Sequence, residues 1–155
     1  MAFTMACHRD KGAIPRDFLE TAEGLVFAVV VAGLEEGRAL CTLRYCRDGL
    51  VWRKLGTDAA NELLAARFPH YLYDSPSRDV RLHGVPMERV TCLYRPRQRL
   101  AQLLINGGGD AMEDKLCRLL ALLAAAGADL ECVGITGSLL IGAQRPDSDF
   151  DLVIY

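Results

Sequence analysis

The run Leu25–Ala32, LVFAVVVA, constrains the fold more than any other segment of the chain. Its β-branched and large apolar side chains suit a pleated, half-buried surface, and its length suits a strand. With the preceding Gly24 it reads as a first strand. A Glu-Glu-Gly turn at Glu35–Gly37 then leads into a second strand, Arg38–Cys46. Asp48-Gly49 is a hairpin signal into a third, Leu50–Leu55. The expected result is a three-stranded antiparallel meander. The longest apolar run, Leu25–Leu34, is broken by Gly33 and falls well short of the roughly 18 residues of a membrane span.

After the meander the period changes from two to 3.6. Thr57 is placed to cap a helix reaching Arg67, with Leu63, Leu64 and Phe68 on one face and Pro69 at its end. Val80–Leu82 and Val90–Tyr94 read as short strands, and Pro96–Leu104 as a helix with proline in its first turn. Gly107-Gly108-Gly109 reads as a flexible joint. Asp110 and Glu113 then resemble a capping box, and Met112, Leu116, Leu119, Leu120 and Leu123 recur at helical spacing until Gly127 supplies a left-handed stop. A short strand, Leu130–Ile135, leads into the turn Thr136-Gly137-Ser138 and a brief helix, Leu139–Gly142. A polar loop, Ala143–Ser148, precedes a last strand, Asp149–Tyr155. These patterns predict an α+β chain: an accessory domain over residues 1–106, a glycine linker at 107–109 and a second domain over 110–155.

Composition narrows the function classes. Half of the residues are hydrophobic and a quarter are charged, which supports a buried core rather than disorder. The net charge is −2, so no overall basic field announces nucleic acid. The start of the chain, Met1–Lys11, lacks a basic flank followed by an apolar core, and residues 1–13 read as a loose tail; a cytoplasmic protein without a membrane partner is expected. The six cysteines, Cys7, Cys41, Cys46, Cys92, Cys117 and Cys132, contain no C-x-x-C pair, and His8, His70 and His83 are scattered. This spacing argues against zinc, leaves a disulfide open, and suits small buried hydrophobes.

The chemistry concentrates at the C-terminal end. Asp149 and Asp151 are two apart on an expected strand and so share one face, with Phe150, Leu152 and Ile154 turned to the core. Two carboxylates on one face suit Mg²⁺, which takes oxygen ligands and keeps water and phosphate in its shell. Gly137 lets backbone N–H groups come close to a phosphate, and the Ser138 hydroxyl can donate as well. Each feature alone is commonplace: a polar start to a strand and a Gly-Ser turn. Together they lie ten residues apart, Leu139 to Ser148, with a strand before the turn and a strand bearing the acids.

The segment VGITGSLLIGAQRPDSDFDLVIY, residues 133–155, resembles the signature of the polymerase-β-like nucleotidyltransferase superfamily: Gly-Ser, about ten residues, then Asp-apolar-Asp-apolar. The resemblance implies that Gly137 and Ser138 hold the β- and γ-phosphates of a nucleoside triphosphate such as ATP. It implies that Asp149 and Asp151 are the catalytic acids binding two Mg²⁺ ions, with a third carboxylate on a later strand. The implied reaction is in-line attack of a hydroxyl on the α-phosphorus. Arg16-Asp17-Phe18, Leu43-Arg44-Tyr45 and Tyr94-Arg95-Pro96 are also similar in order to the front half of an archaeal-type family of predicted nucleotidyltransferases.

Two departures qualify that pattern. Leu139, Leu140 and Ile141 follow Ser138 where many relatives carry arginine or aromatic residues, so this apolar trio needs a cover. No strand after Tyr155 offers the third acid; Glu113, Asp114, Asp129 and Glu131 stand in only by default. The expectation is a partial site, weak or inactive as this polypeptide, with an open terminal strand edge that invites a homodimer.

Two further segments mix arginine with aromatic residues: Arg38–Lys54, with Tyr45 and Trp52, and Arg78–Arg99, with Tyr94. They suit either a solvated face or a surface that selects an RNA acceptor. Two other functions therefore remain beside nucleotidyl transfer. One is a non-catalytic nucleotide- or RNA-binding module; the other is an antitoxin-like interaction protein acting on a protein partner.

Overall fold

A computed structural model of the protein describes residues 12–155. The tail expected over residues 1–13 lies outside the described residues apart from Gly12 and Ala13, as do Cys7 and His8. The chain is α+β, as expected, and divides into two compact units, the first ending at Leu93 and the second running from Tyr94 to Tyr155.

The first unit is built on β2 (Leu25–Glu35) and β3 (Arg38–Asp48), which pair antiparallel through Val26↔Tyr45 and Glu35↔Arg38. Strand β4 (Val51–Lys54) folds back on β3 through the Asp48–Val51 hairpin, completing the expected meander. Two four-residue strands carry too little alternation to be read from sequence: β1 (Phe18–Thr21) and β5 (Leu72–Ser75). Their long neighbours impose the extended form, β1 pairing with β2 through Phe18↔Ala28 and β5 with β6 (Val80–Pro86). With β7 (Val90–Tyr94) the sheet order is β5-β6-β3-β2-β1-β7, and β4 lies beside β3 off this path.

Helix α1 (Thr57–Arg67) begins one residue earlier in role than expected. Gly56, in extended conformation, is the N-cap and Thr57 the first helical residue, so no side chain caps this end. Leu64 is fully buried, with Leu63 and Phe68 packed against the same core of Leu19, Phe27, Leu43 and Tyr71. The rings of Phe27 and Tyr71 lie 5.1 Å apart in a tilted contact, a geometry that aromatic pairs favour. Cys41 and Cys46 are part of this core, and the five described cysteines are free thiols.

The second unit contains α2 (Pro96–Asn106), α3 (Ala111–Ala125) and a two-stranded antiparallel ribbon of β8 (Val133–Thr136) and β9 (Asp151–Ile154). Helix α2 therefore belongs with the C-terminal unit, and the division falls ahead of it rather than at the glycines. The reason is a close approach invisible to local pattern: a Cβ placed on Gly134 would lie 2.9 Å from the backbone carbon of Pro96. The glycines are helix punctuation rather than a joint. Gly107, at φ 75°, ends α2, and the Gly109 N–H donates to Glu113 Oε2 at 2.7 Å ahead of α3. The Asp110 carboxylate accepts from the N–H groups of Met112 and Glu113 at 2.8 and 2.9 Å, the capping expected from sequence. Leu100, Leu103, Leu116, Leu120, Ile135 and Leu139 form the core of this unit.

His83 gives the first unit a pH dependence. It is 5% exposed, its Nδ1 accepts from the Leu43 N–H at 2.7 Å, and its Nε2 bonds Asn61 Oδ1 at 2.9 Å. That arrangement fits the neutral ring, and burial lowers its pKa below the ordinary histidine value. A depressed folded pKa means that the stabilisation is complete above the unfolded value, about 6.5, and is lost as pH falls through the folded one. Urea unfolding between roughly pH 7.5 and 5.5 is expected to show stability falling with acid, and His83→Gln is expected to flatten that slope. An equal slope in the variant contradicts this assignment.

Candidate functional site

The two halves of the C-terminal signature meet across the ribbon. Thr136, the last residue of β8, pairs with Asp151, the first of β9. The chain then turns at Gly137, at φ 67°, into a single 3₁₀ turn, Gly137–Leu140. Asp151 lies directly over that glycine. A Cβ on Gly137 would lie 3.0 Å from Asp151 Cγ and closer still to its Oδ2. Only a residue without a side chain allows the carboxylate this near the turn, and glycine also accepts the left-handed backbone without strain.

Asp149 lies just outside β9, which starts at Asp151 rather than at Asp149. The exposure nonetheless alternates. Asp149 and Asp151 are exposed, while Phe150 between them and Leu152 after them pack against the second core. The apolar row stops short of its expected length: Ile154 is 80% exposed. Ile154 pairs with Val133 at the far end of the ribbon, and although Val133 is a core residue, Ile154 is not packed against that core.

The loop between turn and acids is ordered by its own backbone. Ser138 O accepts from the N–H groups of Ile141 at 3.3 Å and Ala143 at 2.8 Å. Residues 145–148 close reciprocally, with Arg145 N donating to Ser148 Oγ at 2.7 Å and Ser148 N to Arg145 O at 3.0 Å. Leu139, Leu140 and Ile141 are buried, and Leu139 is a member of the second unit's own core. The cover that the apolar trio required is therefore present, for Leu139 within the unit itself.

Two of the four default third acids have other roles. Glu113 pairs with Arg99 and accepts from Gly109 N, and Asp129 Oδ1 accepts from Glu131 N at 3.0 Å to cap the turn Leu130–Cys132. Among the described residues, no group of three or more His, Cys, Asp or Glu side chains could hold a metal ion. Two carboxylates are chemically of the type that Mg²⁺ takes beside water and phosphate oxygens.

The arginine-aromatic segments are largely spent on internal contacts. Tyr45 is 3% exposed, against Phe18, and presents no face for a base to stack on. Arg47 lies over Trp52, 4.1 Å from the ring centroid, and pairs with Glu20 at 3.1 Å. Arg81 pairs with Asp74, and Arg89 with Glu23. Arg97 covers the Tyr155 ring at 4.3 Å. Sequence reasoning missed Arg99, whose Nε donates to Leu139 O at 3.1 Å behind the Gly-Ser turn; its partners are distant in the chain, so no local signal marks it.

The chain is similar to an uncharacterized protein of Methanocaldococcus jannaschii, 30% identical over 158 residues. That match covers 90% of this chain and 46% of the relative, so the chain spans about half the length of the curated protein it matches. No family model matches the chain, and no solved structure does. Among the described residues no helix is long and apolar enough to cross a membrane.

The contact between Asp151 and Gly137 can be separated from backbone strain alone. Gly142 has a similar φ of 70°, with nothing within 4 Å of an added Cβ. Gly142→Ala is expected to cost about 1–2 kcal/mol, the left-handed penalty. Gly137→Ala is expected to cost more in the same chemical-denaturation measurement, because the new methyl also displaces the carboxylate. Equal losses contradict the close approach.

Proposed function

We propose that the protein is a nucleotidyltransferase-like protein that moves a nucleoside monophosphate from a nucleoside triphosphate to a hydroxyl acceptor, an RNA or a protein. The observation that supports this reading is the seating of Asp151 against the Gly137 turn, with Asp149 also exposed two residues ahead. An acid suited to a divalent ion would thereby adjoin a backbone suited to phosphate.

Each residue then has a defined task. The Gly137-Ser138 turn passes from a left-handed φ into a 3₁₀ turn, the kind of backbone change that forms anion-binding nests. Those amides and the Ser138 hydroxyl would hold the triphosphate tail. Asp149 and Asp151 would hold Mg²⁺, which when bound lowers the pKa of the attacking hydroxyl and neutralises charge on the leaving oxygens. The carboxylates also set the direction from which the acceptor approaches, since the core closes the opposite side of β9.

Transfer by Asp149 and Asp151 alone is expected to be slow, and the chain spans about half the length of its relative. The same two-acid set favours one second reading, a module that binds Mg²⁺·nucleotide without turning it over.

Calorimetric titration with ATP at fixed Mg²⁺ tests the site. Asp149→Asn and Asp151→Asn are each expected to weaken binding at least about tenfold while leaving the unfolding midpoint nearly unchanged, since both side chains are exposed. Unaltered affinity in both variants sinks the reading. Binding without incorporation of labelled nucleotide into acceptor selects the non-catalytic module.

A further inference from the structure

Behind the Gly-Ser turn lies a polar network that the proposed chemistry does not use. Arg99 of α2 donates from Nε to the carbonyl of Leu139, the residue after Ser138, at 3.1 Å. A four-residue 3₁₀ turn leaves its last carbonyls without helical partners, and the guanidinium caps one of them. The same Arg99 pairs through Nη2 with Glu113 Oε1, both side chains being largely shielded at 23% and 11% exposure. Glu113 Oε2 accepts from Gly109 N. On the other side, Gln144 opens the loop that carries Asp149. Its Nε2 donates to Asp110 Oδ2 at 2.7 Å and reaches Glu113 Oε1 at 3.5 Å.

The geometry is that of a brace. The phosphate-side turn is tied to Glu113 through Arg99, and the acid-bearing loop is tied to the Asp110–Glu113 cap through Gln144. The anchor is itself stiff, because the Asp110 carboxyl, held below its usual range first by the Glu113 N–H, is the N-cap of α3. The shielded Arg99–Glu113 pair is of the kind that holds a fixed geometry rather than exchanging freely with water, and the bond from Gln144 to Asp110 is charge-assisted though exposed.

We infer that Arg99, Glu113 and Gln144 are positioning residues that set the separation between the Gly137-Ser138 turn and Asp149. As a role in catalysis this rests on the nucleotidyl-transfer reading; as a mechanical link it does not. Groups outside the ligand shell that orient metal ligands commonly alter metal affinity about 10–100-fold. Gln144 is the informative position because it is half-buried on a loop, so its truncation spares the Arg99–Glu113 pair.

The experiment uses the full chain carrying Gln144→Ala, with Gln144→Glu as a second variant that places like charge beside Asp110 and Glu113. Without ligand, amide hydrogen exchange is expected to quicken across residues 143–151 while α2 and α3 keep their protection and the unfolding midpoint stays constant. The glutamate variant is expected to quicken it further. In the titration with ATP, Gln144→Ala is expected to raise the Mg²⁺ concentration for half-maximal binding about tenfold, with nucleotide affinity at saturating Mg²⁺ close to that of the unaltered protein. Unchanged exchange in both variants overturns the brace whatever the titration reads. Quickened exchange with an unchanged Mg²⁺ requirement overturns the positioning role. If the unaltered protein binds no Mg²⁺·ATP, the functional reading fails, and the exchange measurement still decides the link.

Discussion

The contact on which the C-terminal unit turns is that of the Asp151 carboxylate with the bare Cα of Gly137. It exists because β8 and β9 pair with Thr136 opposite Asp151, so the chain leaves one strand where it enters the other. A single side-chain atom more at position 137 would fill the space that the carboxylate occupies. The register therefore does two things at once: it sends Phe150 and Leu152 into the core, and it holds an acid against a turn of backbone amides. A slip of one residue would reverse both, burying acids and exposing aromatics, which makes the apolar side of β9 the guarantor of its polar side.

Much of this was legible in the sequence because the signal is local. Gly137, Ser138, Asp149 and Asp151 fall within 15 residues, and the alternation after Ser148 fixes which side the acids take. The meander was legible for a similar reason, since two long β-prone runs and two glycine turns leave little choice of pairing. The four-residue strands β1 and β5 were not, because their extended form comes from the neighbours they pair with rather than from their own residues.

The glycine triplet illustrates the opposite case. Glycine's permissive backbone serves a linker and a pair of helix ends equally well, and only long-range packing tells them apart. Here Pro96 against Gly134 draws α2 into the second unit, and Gly109 becomes a donor to Glu113. Arg99 and Glu113 escaped sequence reasoning by the same logic. Glu113 was visible as a capping residue, but its ion pair with Arg99 and the bond from Arg99 to Leu139 link segments 14 and 40 residues apart. The arginines of the first unit reverse the lesson: they suggest a basic surface in sequence, yet Arg47, Arg81 and Arg89 are matched to acids in the fold.

The central claim is that one divalent ion can sit between the Gly-Ser turn and the two aspartates. Paramagnetic Mn²⁺, added in place of Mg²⁺ together with ATP, reports this directly by broadening the backbone amide signals nearest to it. The account expects the amides of Gly137, Ser138, Asp149 and Asp151 to broaden first, at the lowest metal concentration. Sharp signals at these four positions, with broadening at acids elsewhere such as Asp74 or Asp79, contradict it.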